Sequence, residues 1–253
     1  MVETLTALFE SWGIAADKAA SQAEYLLDFP EMLDQIWNTV YAPAAATLLA
    51  YAIGLPLGIL LVAGEAGGIR PLPGGLMRGL NWVVNLLRSV PFLILMALVM
   101  PLSTLIIGTS VGTTATIVPL TIAAAPYVAR IVEISLREMD RGVIEAAQAM
   151  GCSPWQIITK VMLSECRPSL INSLTTATIT ILSYGAMAGA IGAGGLGSMA
   201  LMKGYQRKMK VMLWGSVVLL VLLVQIIQSI GTALSMKTDR RINPTESRRR
   251  KQK

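Results

Sequence analysis

Residues 137–168 read REMDRGVIEAAQAMGCSPWQIITKVMLSECRP, and this charged stretch separates two long apolar runs. A segment this polar is excluded from the hydrocarbon core of a bilayer, so it must be a loop with structure of its own. Val143, Ala147 and Met150 recur at helical spacing, which predicts a short helix. Gly151 would end that helix, because glycine readily adopts the left-handed conformation that a helix C-terminus requires.

A second short helix is predicted directly after the first. Ser153 is suited to be its N-cap, Pro154 would occupy the first helical position, and Gln156 would complete a capping box. Ala146 and Ala147 carry no bulk on the first helix, so together they predict a smooth face that fits a groove in a partner. The two helices then form a compact docking element. An ordinary loop helix lying on the membrane surface is the alternative interpretation.

The rest of the chain is apolar. Of its 253 residues, 54% are hydrophobic and 14% are charged, whereas a soluble domain carries about 25% charged residues. The uncharged runs cover residues 35–64, 89–129, 168–202 and 211–236. A membrane-spanning helix needs about 20 mostly apolar residues, so each run can span, and the second run can span twice. The composition predicts an all-α integral membrane protein with no large soluble domain.

Charge bias decides the number of spans, because cytoplasmic loops carry an excess of Lys and Arg. With one span in the ambiguous run 168–202 and an outside N-terminus, sixteen of the 21 Lys and Arg residues lie inside. Two spans there would give a weaker bias, so five spans with a cytoplasmic C-terminus are predicted. The basic segment 203–210 is then external, and the charge pattern leaves it unexplained. The predicted spans are about 37–63, 79–101, 110–136, 168–202 and 211–236, and the polar loop covers about 137–167.

Two flanking segments complete the predicted organisation of a membrane domain over 37–236. Residues 1–36 carry seven acidic residues and one lysine, and they are predicted to be an external extension, either an amphipathic helix or disordered. The apolar residues at helical spacing in this extension are Leu5, Leu8, Phe9 and Trp12. Residues 237–253 are predicted to be a basic cytoplasmic tail near anionic lipid. No folded module accompanies this charge, so nucleic acid is not predicted as a partner.

The sequence gives little support to catalysis. It contains no histidine, which removes the commonest general base. No glycine is followed by lysine, so the chain lacks a Walker A loop that would hold ATP phosphates. Cys152 and Cys166 do not have metal-ligand spacing, so no metal or cofactor site is predicted. The uncharged runs also lack the ionisable residues that ion coupling needs, which favours a partner ATPase as the energy source for any uphill transport.

The sequence Glu145-Ala146-Ala147, followed by Gly151, resembles the E-A-A-x-x-x-G signature of permease subunits of binding-protein-dependent ABC importers. The family pattern ends in a proline where this chain has Ser164. The flanking stretches Arg88–Phe92, Ile117–Thr121, Ala124–Pro126, Ala129–Arg130 and Gly192–Gly197 are similar to the methionine-uptake branch, and the resemblance covers roughly residues 37–236.

The resemblance implies the fold of a type I ABC importer permease in a bacterial plasma membrane. It implies a homodimer in the lipid bilayer, two cytoplasmic ATPase subunits that bind ATP and Mg, and an external substrate-binding protein. The transported solute would be methionine, the L enantiomer and also the D enantiomer. Closure of the ATPases would push the coupling loop and open the pathway outward, and ATP hydrolysis would reset it inward. The implied ATPase-coupling residues are Glu145, Ala146, Ala147, Met150, Gly151 and Trp155.

The run Gly185–Gly195 is rich in small residues and has two interpretations. Small residues allow helices to pack closely, and a glycine-interrupted helix can also line a translocation path. In the second case Ser183, Tyr184 and Met187 would lie nearest the solute, with Gly189 allowing the helix to bend. A permease for another amino acid and a membrane scaffold without a pathway remain alternatives, and a membrane enzyme is disfavoured by the missing catalytic clusters.

Overall fold

The structure, a computed structural model, describes residues 2–11, 13 and 28–239. These residues form helices joined by short turns, and no strand occurs among them. The α-helices are α1 (Val2–Ser11), α2 (Phe29–Ala63), α3 (Gly74–Ser89), α4 (Phe92–Ile107), α5 (Ile117–Arg137), α6 (Arg141–Ala149), α7 (Pro154–Gln156), α8 (Arg167–Ala188), α9 (Gly195–Ser198) and α10 (Lys210–Thr238). Wider π-helical turns extend α7 over Ile157–Met162 and α9 over Met199–Gln206. One further α-helical turn, Leu163–Glu165, follows the first of these. Tighter 3₁₀ turns precede α5 at Thr114–Thr116 and follow α8 at Gly189–Ile191.

Four helical segments of the described chain are long and apolar enough to cross a membrane, and a bent helix pair raises the number to five if the pair makes one crossing. The four segments are Pro30–Ala63, Thr114–Arg137, Arg167–Ile191 and Lys210–Thr238, and the bent pair is α3 with α4. The all-α membrane fold that the uncharged runs predict is confirmed.

The second predicted span, 79–101, differs most from the structure. Its residues belong to α3 and α4, whose axes meet at an angle of 106°. Pro91 accounts for the break, because its ring disfavours a helical conformation in the preceding residue. That residue, Val90, is extended, with φ −80° and ψ 127°. A proline does not always break a helix here, however, since Pro101 lies inside α4.

The ends of the other predicted segments shift by several residues. α2 begins at Phe29, well inside the predicted extension 1–36, and α10 continues to Thr238, inside the predicted tail. The extension also contains α1, as its helical spacing predicts, and Phe9 of α1 is buried. Trp12 of the same predicted helix lies outside the described residues.

The Cα positions divide into two compact units, and α2, α5, α8 and α10 contribute residues to both. The first unit comprises Met1–Ala46, Phe92–Leu120 and Ile181–Gln225, and the second comprises Thr47–Pro91, Thr121–Thr180 and Ile226–Lys253.

The first unit is held by contacts between the start of α2 and the segment around α9. Leu196 is buried, and its backbone N–H donates to the Thr39 hydroxyl at 2.7 Å. Lys203 forms an ion pair with Glu31. One lysine of the basic segment 203–210 therefore has a carboxylate partner in its own unit, which local charge counting does not reveal.

The second unit packs its helices through small residues. A Cβ built on Gly54 would lie 2.7 Å from the Cβ of Val128, and one built on Gly58 would lie 2.7 Å from a methyl carbon of Val132. These distances are too short for any larger residue, so α2 and α5 approach each other closely. This close approach fixes the C-terminal half of α5, which leads into the polar loop 137–167.

Candidate coupling and translocation sites

The polar loop folds as two short helices joined by a tight turn. Asp140 caps α6 by accepting a hydrogen bond from the Gly142 N–H at 2.8 Å. Gly151 follows the helix with a left-handed φ of +78°. Ser153 then caps α7, since its hydroxyl accepts from the Gln156 N–H at 3.4 Å and its own N–H donates to Gln156 Oε1 at 2.9 Å. The predicted helix end and capping box are both confirmed.

The turn exposes one carboxylate and two large apolar side chains. Glu145 and Ala146 are exposed, while Met150 and Trp155 are 75% and 72% exposed. The prediction that Ala146 and Ala147 both face a partner is wrong for Ala147, which is buried inside this chain. Ala147 instead lies on the inward face of α6, and the outward face consists of Ala146, Met150 and Trp155.

An exposed apolar patch of this kind is typical of a protein-binding surface. The capping bonds at Ser153 fix the start of α7, so Trp155 projects from an ordered turn rather than from a mobile loop. The Thr159 hydroxyl donates to the Trp155 carbonyl at 2.7 Å, which ties the following turn to it as well. The patch is thus a preformed surface next to the charge of Glu145.

The predicted pathway residues lie at the end of α8. Ser183 and Met187, which lies four residues further along, are both exposed, Met187 to 43%. This spacing puts the two side chains on one face of α8. Tyr184 stacks on Phe92, with ring centroids 4.3 Å apart and ring planes 6° apart. The start of α4 thus lies against the aromatic ring of α8.

Gly189 occupies a packing position. It is buried, and a Cβ built on it would lie 2.2 Å from the backbone nitrogen of Ser198. Gly197 faces the other way, and a Cβ on it would lie 2.2 Å from the Ala186 carbonyl oxygen. The end of α8 and the short helix α9 therefore meet backbone to backbone, as the packing interpretation of the glycine-rich run predicts.

The same run also contains a helix break, as the second interpretation predicts. Gly192, Gly194 and Gly195 all have left-handed φ values, +89°, +79° and +75°. Residues with a Cβ rarely adopt these angles, so the chain can reverse here only because it has glycines. The two interpretations thus apply to different glycines of one segment.

A chain of charged side chains beside the polar loop escaped the sequence analysis. Arg130, Glu133 and Arg137 follow one face of α5, where Glu133 pairs with both arginines, and Arg137 also pairs with Glu65. The spacing of the first three along one helix is a readable signal. No such spacing signal exists for Glu65, because it lies 72 residues from its partner Arg137 in the sequence.

Metal and cofactor chemistry has no cluster to support it in the part of the chain that the structure describes. No group of three or more His, Cys, Asp or Glu side chains there could hold a metal ion. Cys152 and Cys166 are not joined in a disulfide. A cavity of about 500 Å³ opens beside α5 and α8, lined by Ser135, Glu138 and Ser173 among others, and none of the four predicted pathway residues lines it.

Comparison with known proteins gives a consistent family. Residues 54–243 match the family described as "Binding-protein-dependent transport system inner membrane component". The chain is 47% identical over 218 residues to a probable D-methionine transport system permease protein MetI of Vibrio cholerae, covering 86% of this chain and 96% of that protein. It is 43% identical over 206 residues to the corresponding protein of Haemophilus influenzae, covering 81% of this chain and 96% of that protein.

Solved structures agree with the sequence relatives. A chain of the MetNI methionine ABC transporter in an inward-facing conformation superposes with a TM-score of 0.81 at 40% identity, covering 85% of this chain and 100% of that one. A chain of an amino acid ABC transporter shares the fold with a TM-score of 0.69 at 16% identity, covering 86% of this chain and 97% of that one. The chain therefore belongs to the family of inner membrane components of binding-protein-dependent transport systems, and it is a permease subunit, not an enzyme.

Proposed function

We propose that this chain is the permease subunit of an ABC importer that takes up methionine, both the L and the D enantiomer. One observation carries the proposal: permeases named for D-methionine and a structure named for a methionine transporter match it at 40% identity or more. Each match covers over 80% of this chain and nearly all of the other chain.

The proposed assembly is a homodimer of this chain with two cytoplasmic ATPase subunits and an external substrate-binding protein. ATP and Mg would be held by the ATPases. The surface formed by Glu145, Ala146, Met150 and Trp155 would receive the ATPase, with Gly151 setting the turn and Ala147 supporting it from inside. Closure of the ATPases would move this turn and open the pathway outward, and hydrolysis would return it inward.

The proposed pathway runs along the exposed face of α8. Ser183 and Met187 lie on that face, and Tyr184 is held next to it by its stack on Phe92. An uncharged solute needs an apolar wall, and the flexible thioether of Met187 adapts to such a solute. Gly189 would serve the pathway indirectly, by letting the end of α8 pack on α9.

The proposed orientation has the N-terminus outside and the C-terminus in the cytoplasm of a bacterial plasma membrane. It puts the polar loop 137–167 on the side of the ATPases and follows the bias of Lys and Arg. A single cysteine at Gln252, in a chain with Cys152 and Cys166 replaced by serine, tests it. An impermeant maleimide should label this cysteine in inverted vesicles only. Labelling in intact cells would show that the C-terminus lies outside.

Reconstitution of the complete complex in proteoliposomes tests the function. With binding protein outside and ATP inside, we expect uptake of labelled L-methionine that excess D-methionine suppresses and excess leucine does not. ATP-dependent uptake of leucine in place of methionine would favour a permease for another amino acid. If the chain binds no ATPase when the subunits are expressed together, the scaffold alternative stands.

A further inference from the structure

Backbone hydrogen bonds hold the loop between α2 and α3. Its backbone closes on itself through the Arg70 N–H, which donates to the Ala63 carbonyl at 2.9 Å, and the Leu72 N–H, which donates to the Gly64 carbonyl at 3.0 Å. Gly68 fits where no larger residue does, since a Cβ on it would lie 2.6 Å from the Ala63 carbonyl oxygen. Glu65 therefore projects from a fixed loop.

Glu65 receives both ends of an arginine fork. Arg137 Nη1 donates to Glu65 Oε2 at 3.0 Å, and Arg137 Nη2 donates to Glu65 Oε1 at 2.6 Å. The side chains are 46% and 42% exposed. A two-pronged arginine–carboxylate contact is stronger and more directional than a single ion pair. It fixes the last residue of α5 against the α2–α3 loop.

The fork continues into a buried carboxylate. Arg137 Nε also donates to Glu133 Oε1 at 3.1 Å, and Arg130 Nη1 donates to Glu133 Oε2 at 2.6 Å. The Glu133 side chain is only 5% exposed, and each of its carboxylate oxygens is paired with a guanidinium group. Arg130 Nη2 then donates to Asn85 Oδ1 on α3 at 2.7 Å.

The proposed ATPase-binding surface of Glu145, Ala146, Met150 and Trp155 begins just after Arg137. Only residues 138–140 separate Arg137 from α6, and Met139 among them is buried. A groove of about 320 Å³ is lined on one side by Glu65 and on the other by Ile144 and Glu145 of α6. The hydrogen bonds from Arg137 hold the pKa of the Glu65 carboxyl below its usual value, so the fork stays charged at neutral pH.

We infer that Glu65 is a positioning residue for coupling: its fork with Arg137 fixes the base of α6 to the α2–α3 loop. A push on α6 is thereby delivered through Arg137, Glu133 and Arg130 to α2 and α3 as well as to α5. This inference rests on the proposed function. Ordinary stabilisation of the fold is the competing explanation, and it would affect the amount of folded complex rather than the link between the ATPase and the binding protein.

The experiment compares three variants of the complete complex in proteoliposomes: Glu65→Gln, Glu65→Asp and Lys237→Gln. The readout is the ratio of ATP hydrolysis with and without the external binding protein. For Glu65→Gln we expect this ratio to fall about threefold, the size expected for loss of an exposed but forked ion pair. Glu65→Asp keeps the charge and should fall in between. Lys237→Gln removes one exposed charge of the same unit outside the polar loop, and it should match the parent chain.

Two results would overturn the inference. One is an unchanged ratio in Glu65→Gln while the amount of ATPase retained in the purified complex equals that of the parent chain. The other is an equal fall in Glu65→Gln and Lys237→Gln, which would indicate general sensitivity to the loss of a charge. The proposed function fails separately, because it is judged by methionine uptake in the parent complex alone.

Discussion

Gly151 and Gly189 stand in the two regions most closely tied to the proposed function, and they are glycines for opposite reasons. Gly151, in the coupling turn, has φ +78°, and nothing lies within 4 Å of a Cβ built on it. Gly189, at the end of α8, is not among the glycines with positive φ, yet a Cβ on it would meet backbone at 2.2 Å. The first is required by its backbone angle, and the second by its neighbour.

The difference shows how each region can change. Open space around Gly151 leaves the turn free to be covered by another protein, so its constraint is local and a residue that tolerates the left-handed conformation can satisfy it. Gly189 is enclosed by the backbone of its own chain, so a larger side chain there fits only if that backbone shifts. Substitutions at the two positions should therefore fail in different assays.

The largest effect is expected at the enclosed glycine. Gly189→Ala forces a methyl group against the backbone of Ser198, and overpacking of this kind costs about 1–3 kcal/mol or more. We expect a large loss of monodisperse protein after detergent extraction and a lower Tm for what remains. Gly79→Ala is the matched control, because a Cβ there meets nothing within 4 Å and alanine favours the helix. Equal Tm values for the two variants would mean that α8 and α9 are not in backbone contact.

The next effect is expected in the coupling turn. Gly151→Val must hold a β-branched residue at a left-handed angle, which costs about 1–3 kcal/mol of local strain. We expect normal amounts in the membrane, no methionine uptake and weaker retention of the ATPase. Gly151→Asn should recover much of the uptake, since asparagine tolerates this conformation.

Glu145→Arg separates charge from backbone strain in the coupling turn, because it reverses the charge of the proposed ATPase-binding surface and leaves the turn intact. It should also preserve membrane insertion and weaken ATPase retention. Normal uptake in both Gly151→Val and Glu145→Arg would show that this loop does not dock the ATPase.

A change on the exposed face of α8 should affect uptake without affecting stability. Met187 is 43% exposed, so Met187→Trp adds bulk where there is room and should obstruct the proposed pathway. We expect blocked uptake with a parental Tm and full ATPase retention, in contrast to Gly189→Ala only two residues away. If Met187→Trp transports normally, or a cysteine at 187 resists thiol reagents in every nucleotide state, the pathway lies elsewhere.

Local features of both regions were predictable from the sequence. The cap at Ser153, the turn at Gly151 and the break among Gly192–Gly195 all depend on residues within a few positions of each other. The 106° bend between α3 and α4 was less accessible, because a helix breaks before Pro91 but continues through Pro101, and the sequence alone does not separate the two prolines.

Contacts between distant segments were beyond the sequence analysis. The pairing of Glu65 with Arg137 and the burial of Ala147 depend on which helices become neighbours, and neither leaves a periodic pattern. The sequence left Gly189 open to two interpretations, because small residues suit both a bending helix and close packing. The distance to Ser198 decides between the two, and it is a tertiary quantity.

The smallest effect concerns the charged contact beside the coupling turn, and pH separates it from the backbone contact at Gly189. Hydrogen bonds from Arg137 lower the pKa of Glu65 in the folded state, below the unfolded value of about 4.3. The fork therefore stabilises the protein above that value, and the stabilisation is lost as the pH falls through the folded-state pKa. Because both side chains are nearly half exposed and screened by salt, the effect at pH 7.5 should be only about 0.5 kcal/mol.

We expect the Tm of Glu65→Gln to lie about 1–2 °C below that of the parent chain at pH 7.5, and this Tm deficit to shrink as the pH falls through the folded-state pKa of Glu65. The Tm deficit of Gly189→Ala should stay the same over that pH range, because no titrating group takes part in that contact. A Tm deficit of Glu65→Gln that does not shrink on acidification would mean that the glutamate side chain contributes packing rather than charge.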